Sequence, residues 1–146
     1  MDKGVYCLIL GCVDTKSIRI GALGDIIFQS GWYVYTGSAL GSGGLDRVRR
    51  HIRYYKHQYR SPKWHIDYLM SDNSVYLRQV LCSQTMCDYE CDLAKCIGVP
   101  GIHGFGSSDC SCITHLFYRP NNPSTEIYNA FLKIGLHNII KHDIIK

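Results

Sequence analysis

The 146-residue chain has no hydrophobic run long enough to cross a membrane as a helix. The apolar stretch at residues 5–13 is too short, is interrupted by Gly11, and lacks a cleavage site typical of a signal peptide. The sequence also has no internal repeat and no low-complexity segment, which excludes repeat architectures. These absences predict a cytoplasmic protein without a membrane partner.

Charged residues are scarce as well, at 19% of the chain against 46% hydrophobic residues. This balance excludes a disordered chain and is typical of a globular domain with a sizeable core. The eight cysteines would suggest a disulfide framework in a secreted protein, but a cytosolic chain keeps its thiols reduced. We therefore expect the cysteines to pack in the core or to bind a metal ion.

Residue patterns predict a mixture of strands and helices. Strands are expected at residues 4–10, 32–36, 74–81 and 114–118, with a hairpin formed by residues 17–20 and 25–28. Helices are expected at residues 45–57, 64–70 and 85–98, and a last helix starts at Asn122-Pro123 with Asn122 as its cap. The glycine-rich residues 37–44 are predicted to form a flexible loop before the first helix.

Glu90 is an acidic residue on an otherwise apolar helix face. In the predicted helix it follows Met86 by four residues and precedes Leu93 by three, so helical spacing places it on the apolar stripe. A carboxylate that points to the interior is costly unless it meets a metal ion, a cation or hydrogen-bond donors. The alternative is a tilted helix with Glu90 at its solvent edge.

Basic residues are concentrated between residues 47 and 63, where no acidic residue occurs. The set is Arg47, Arg49, Arg50, Arg53, Lys56, Arg60 and Lys63. Such a surface suits the phosphates of a nucleic acid, and the alternative is a solvated helix face. Arg47 and His51 are four residues apart, so both can line a cleft beside the buried stripe of their helix.

Together these residues suit phosphodiester cleavage. A divalent ion held by a carboxylate can bind a phosphate oxygen and the leaving group. An arginine can offset the developing negative charge, and a tyrosine or a histidine can take a proton from water. The chain offers Tyr6 and Tyr35 on predicted strands, Arg47 and His51 on a helix, and Glu90.

The order of these residues resembles the GIY-YIG nuclease superfamily. The two triplets of that pattern correspond here to residues 4–6 and 35–37, followed by an Arg-x-x-x-His helix and by Glu90 at the position of the metal-binding glutamate. The resemblance is closest to a subfamily of small prokaryotic proteins, in which the domain stands alone or is fused to an endonuclease III-like DNA glycosylase. The matching stretches are residues 20–24, 35–40, 64–69, 90–94 and 104–112.

The resemblance implies an α/β fold of the α+β type, with a small, mainly antiparallel sheet flanked by helices. It implies a nuclease-like domain at residues 1–118 and a C-terminal helical extension at residues 119–146 that packs on the same domain. The triplets lie farther apart than in the compact family pattern, because the hairpin at residues 17–28 intervenes. A hairpin can be inserted between two adjacent strands without separating them, so we expect Tyr6 and Tyr35 to meet.

The resemblance also implies roles for the site residues. Tyr6 would be the general base, Tyr35 would help to orient water, and Arg47 would stabilise the phosphate. His51 would assist or share the role of base, and Glu90 would hold Mg²⁺ or Mn²⁺. The residues expected to contact the nucleic acid are Arg49, Arg50, Arg53, Lys56 and His65, of which His65 either donates to a phosphate or caps local structure.

The spacing Cys110-x-Cys112-x-x-His115 is a candidate for a structural Zn²⁺ site. Cys82, Cys87, Cys91 and His103 are the candidates for completing it. The alternatives are packed thiols, or a tight loop whose small residues approach the nuclease-like face and whose Asp109 contacts the metal ion or a neighbouring side chain.

The sequence thus predicts a metal-dependent endonuclease that acts on DNA, in repair or recombination, as a monomer or a homodimer. Repair proteins are the expected partners. The rival hypothesis is a non-catalytic nucleic-acid-binding module that guides a repair partner, since a fold can host a binding role alone. A third reading is a metal-stabilised interaction domain.

Overall fold

The computed structural model describes residues 2–107 and 112–144. Its strands are β1 (Gly4–Cys12), β2 (Lys16–Arg19), β3 (Asp25–Phe28), β4 (Gly31–Ala39), β5 (Val75–Gln84), β6 (Leu116–Arg119) and β7 (Ile139–Asp143). Its helices are α1 (Asp46–His57), α2 (His65–Met70), α3 (Glu90–Ile97) and α4 (Ser124–Lys133). Five strands form an antiparallel sheet in the order β6-β4-β1-β5-β7, and β2 pairs with β3 alone. The predicted mixed fold with a mainly antiparallel sheet is confirmed.

The central strand β1 is buried on both faces, because helices cover both sides of the sheet. Its even-numbered residues face a core formed with α1, α2 and the β2–β3 hairpin. Its odd-numbered residues, such as Cys7, face a second core formed with α3 and α4. This arrangement explains why the strand reads as one continuous apolar run rather than as alternating apolar and polar residues.

The hairpin inserted between β1 and β4 does not separate these two strands. They pair directly along their whole length, with Tyr6 opposite Gly37 and Leu8 opposite Tyr35. Residues opposite each other in an antiparallel pair point to the same face. The expectation that Tyr6 and Tyr35 lie close together on one face is therefore confirmed.

Several element boundaries differ from the sequence expectation, and three of the differences concern the site or the edge of the sheet. Residues 37–39 belong to β4 and not to the glycine-rich loop, because their backbone pairs with β1. Helix α3 begins only at Glu90, and Met86 is 75% exposed and lies before it. The C-terminal segment is not wholly helical, because β7 follows α4 and pairs with β5 at the edge of the sheet.

None of the helices within residues 2–107 and 112–144 combines the length and the apolar character needed to span a bilayer.

Candidate active site

Strand pairing places the first tyrosine of the site. Tyr6 lies on β1 opposite Gly37 of β4, and its ring packs directly over the glycine backbone. A Cβ atom at residue 37 would collide with the ring, so this position requires glycine for close packing. Packing therefore explains the glycine of the second triplet, because Gly37 makes room for Tyr6 of the first triplet.

A hydrogen bond of 2.8 Å joins the Tyr6 hydroxyl to Nε2 of His51 on α1. Both side chains are buried. Burial raises the pKa of Tyr6 well above its ordinary value, Tyr35 adds to the rise, and Arg47 opposes it. Burial also lowers the pKa of His51 to about 4, with Asp67 opposing the change and Arg47 adding to it. At neutral pH Tyr6 therefore keeps its proton, and His51 is an uncharged base beside it.

Arg47 lies one helical turn before His51 and points to the same side of α1. Its Nη1 donates a hydrogen bond of 3.0 Å to the backbone carbonyl of Ser38, at the end of β4. This bond holds the guanidinium at the mouth of the site and leaves other donors for an anion. Arg47 thus lies where a phosphate oxygen can meet both its charge and its N–H groups.

Two adjoining cavities converge on these side chains. The smaller, of about 40 Å³, is lined by Tyr6, Tyr35, Arg47, His51 and Trp64. The larger, of about 290 Å³, is lined by Tyr35, Ser38, Arg47, Lys63, Trp64, His65, Glu90 and Gly106. Both share Tyr35, Arg47 and Trp64, so they form one continuous depression that we call the cleft. All five predicted catalytic residues line it.

Glu90 enters the cleft as the first residue of α3. Its backbone N–H donates to the Asp88 side chain at 3.3 Å, and its carboxylate lies 3.1 Å from Nδ1 of the buried His115. Burial by itself lowers the pKa of His115, but its interactions with Glu90 and Cys112 outweigh burial and raise the pKa to about 9. Glu90 lies three and four residues before the buried Leu93 and Ala94 on α3, while Met86 lies before the helix and is exposed.

The cleft fits a hydrated Mg²⁺ or Mn²⁺ ion. Mg²⁺ is usually bound through one or two carboxylates, with water and substrate phosphates completing the shell. Glu90 supplies one such carboxylate, and its side chain is 23% exposed. Because Arg47 lines the same cavity, a phosphate at this point would contact both the ion and the guanidinium.

His65 serves local structure and remains available to a ligand. Its Nδ1 accepts a hydrogen bond of 2.9 Å from the backbone N–H of Gly106, which has φ of 67°. Burial lowers the pKa of His65, so the ring is neutral near pH 7 and carries its proton on Nε2. Because His65 lines the cleft, Nε2 can donate to a phosphate while Nδ1 fixes the loop.

The loop that contains Gly106 approaches the cleft. This position matches the alternative in which the segment is a tight loop near the nuclease-like face. A Cβ atom at residue 106 would come within 2.9 Å of the Tyr35 ring, so a small residue is needed there. Asp109 and Cys110, the other predicted functional residues of this loop, lie outside the described residues.

A second cluster of ligand-type side chains lies beside Glu90. One ligand atom from each of Cys91, Cys112 and His115 lies within 4.8 Å of the others. The structure thus brings together two of the three residues of the predicted zinc motif, and it adds Cys91 from the list of completing candidates.

A family profile described as "Domain of unknown function DUF123" matches residues 5–136. The chain belongs to the DUF123 family. The DUF123 match covers every residue that lines the cleft and all three residues of the cysteine and histidine cluster. No curated protein and no solved structure matches the chain.

The basic residues predicted to bind nucleic acid lie mostly outside the cleft of this DUF123 protein. Arg49, Arg50, Arg53 and Lys56 are exposed on α1 and do not line either cavity. Arg49 lies 3.7 Å from Asp46, and Arg53 stacks on Tyr59 at 4.2 Å. Their role in binding DNA stays a prediction.

Sequence reasoning placed Lys63 in the basic run but not in the cleft, and it missed Trp64 as a site residue. Trp64 is 45% exposed and lines both cavities, with the guanidinium of Arg60 at 5.1 Å and the ammonium of Lys63 at 5.5 Å from its ring. An exposed aromatic ring flanked by cations is typical of surfaces on which nucleobases stack. The signal was present in the sequence, as a tryptophan directly after the basic run and just before a short helix.

Proposed function

We propose that this protein is a divalent-metal-dependent endonuclease that hydrolyses phosphodiester bonds in DNA, like the GIY-YIG nucleases that its sequence resembles. The observation that carries the proposal is the convergence of five side chains on one cleft: Tyr6, Tyr35, Arg47, His51 and Glu90. These residues come from four separate elements. A structural role alone does not require a tyrosine, a neutral histidine, an arginine and a carboxylate to face the same depression.

The smaller cavity suits the attacking water. Its volume of about 40 Å³ exceeds the roughly 15 Å³ that one water needs, and Tyr6, Tyr35 and Arg47 supply polar partners. Because the pKa of Tyr6 is raised, the phenol cannot serve as a base while it holds its proton. The neutral His51 can take this proton. Tyr6 donates its own proton to Nε2 of His51 and, at the same time, accepts a proton from water.

The remaining residues act on the phosphate. Arg47 stabilises the additional negative charge on the phosphate oxygens in the transition state. Glu90 would hold Mg²⁺ or Mn²⁺, which supplies Lewis-acid stabilisation of a phosphate oxygen when bound. His65 and Lys63 line the larger cavity and can contact phosphates of the strand beside the cleaved bond.

The proposal extends to a cytoplasmic role in DNA repair or recombination, with repair proteins as partners. Its support is the resemblance to a subfamily whose domain is also found fused to DNA glycosylases. Assays of DNA cleavage and of DNA binding distinguish hydrolysis from a binding role without cleavage.

The direct test is incubation of the purified protein with plain duplex, damaged and branched DNA in Mg²⁺ or Mn²⁺. We expect cleavage of at least one substrate, loss of cleavage in EDTA, and a decrease of about 10² to 10⁴-fold in Tyr6→Phe, the range for removing a general base. Tyr128→Phe, on α4 at the opposite face of the sheet, should cleave normally. Salt-sensitive DNA binding without cleavage in either metal would instead support the binding module.

The low pKa of His51 predicts an unusual pH profile. Catalysis needs neutral His51, so activity should fall only as the pH approaches the folded pKa of about 4, and not near the ordinary 6.5. The measurement is kcat/KM against pH at constant ionic strength, with circular dichroism to check folding at each pH. An acid limb centred near pH 6.5 would contradict the role given to His51.

A further inference from the structure

We propose that Cys91, Cys112 and His115 bind a zinc ion beside the cleft, distinct from the divalent ion of the cleavage reaction. Two cysteine sulfurs and one imidazole nitrogen are a soft donor set, which favours Zn²⁺ over the oxygen-binding Mg²⁺ and Mn²⁺. Cys91 is distant in the chain from Cys112 and His115, yet the ligand atoms of all three lie within 4.8 Å of one another.

The spacing of these atoms is close to that of a zinc site. With Zn–S bonds of about 2.3 Å and Zn–N bonds of about 2.0 Å, the ligands of a tetrahedral site lie roughly 3.5 to 3.8 Å apart. Small side-chain rotations would close the difference. His115 is fully buried and Cys91 and Cys112 are partly buried, so most of the site is shielded from solvent while an entry path remains.

The backbone around the cluster is held firmly. The His115 N–H donates to the Phe105 carbonyl, and the His115 carbonyl accepts from Thr36 on β4, both at 2.9 Å. His115 is thus fixed to the sheet, while Cys91 belongs to the first turn of α3. A metal ion between them would tie α3 to the segment that precedes β6, as structural zinc ions join distant segments.

The zinc site also explains the contact between His115 and Glu90. A metal-binding histidine commonly uses one ring nitrogen for the ion and the other for a carboxylate or a carbonyl. The contact of 3.1 Å to Glu90 uses Nδ1 of His115, so in the proposed site Nε2 would bind the zinc ion. Zinc would then position Glu90 for its role in the cleft, and this second statement rests on the proposed function.

The main test is the metal content of the full-length, untagged protein, purified without chelators under reducing conditions. We expect about one zinc per chain by mass spectrometry of the elements. Cys91→Ser and Cys112→Ser should each reduce zinc to less than a tenth of that value. Cys87→Ser is the matched control, because Cys87 is exposed, precedes α3 and lies outside the cluster, so it should keep its zinc.

Cobalt substitution keeps the proposal testable if a cysteine variant fails to fold. Unmodified protein loaded with Co²⁺ should show strong visible absorption of a tetrahedral site and a thiolate charge-transfer band. Absence of both bands would overturn the proposal, as would zinc far below one per chain. A disulfide between Cys91 and Cys112 in protein purified under reducing conditions would overturn it too.

The zinc proposal and the nuclease proposal can be contradicted independently of each other. Stoichiometric zinc in a protein that cuts no DNA would leave the zinc site standing and remove the proposed nuclease function. Cleavage by a protein without zinc would do the reverse.

Discussion

Replacing Glu90 with glutamine should reduce DNA cleavage by about 10³-fold or more. The neutral amide is a poor ligand for Mg²⁺, and a metal ion contributes several kcal/mol of transition-state stabilisation, with each tenfold in rate equal to about 1.4 kcal/mol. The side chain keeps its size, so the packing around α3 should not change. Steady-state rates with saturating Mg²⁺ or Mn²⁺ measure the effect.

Asp92→Asn is the matched control for this variant. Asp92 is an exposed acid two residues later on the same helix, and it does not line the cleft. Removing its charge should leave the rate within about twofold. DNA affinity in Ca²⁺ should change little in the Glu90 variant, because the amide removes the metal ligand and not the basic surface. An unchanged cleavage rate in Glu90→Gln would remove Glu90 from the mechanism.

Replacing Asp67 with alanine should lower the free energy of unfolding more than any other substitution proposed for this protein. Asp67 is fully buried, and its Oδ2 accepts hydrogen bonds from Arg60 at 2.9 Å and from the backbone N–H groups of Lys63 and Trp64 at 2.9 and 3.1 Å. Truncation leaves a partly buried guanidinium and two backbone donors without their acceptor. We expect the free energy of unfolding to fall by about 3 kcal/mol, measured by urea denaturation.

The control is Asp14→Ala, which removes an exposed carboxylate and should change stability by less than about 0.5 kcal/mol. Asp67→Asn should cost less than Asp67→Ala, because the amide oxygen can still accept hydrogen bonds. Equal stability of Asp67→Ala and the unmodified protein would show that solvent replaces these contacts. Since Lys63 and Trp64 line the cleft, the alanine variant should also lower DNA cleavage.

Much of the fold follows from local sequence patterns. The apolar run that became β1 and the periodic residues of α1 were readable because burial imposes a regular spacing on single elements. The meeting of Tyr6 and Tyr35 was also predictable, since it required only that two strands stay paired around an inserted hairpin. Glu90 lies in the cleft and precedes the buried Leu93 and Ala94 by three and four residues on α3, whereas Met86 is exposed and outside the helix.

The remaining features depend on contacts between distant segments. β7 is a short edge strand with mostly exposed residues, so it lacks an apolar pattern and is held by pairing with β5. Trp64 and Lys63 reach the cleft because buried Asp67 binds the backbone that precedes α2. Cys91 meets His115 through the packing of α3, which no spacing within the loop could reveal.

The contact between Tyr6 and Gly37 links the two triplets of the sequence pattern as a single packing unit. The Tyr6 phenol occupies volume that exists only because its neighbour across the strands has no side chain. A larger residue at position 37 would collide with the ring and displace the Tyr6 hydroxyl from His51. Two short motifs that are separate along the chain are therefore linked by one steric contact in the fold.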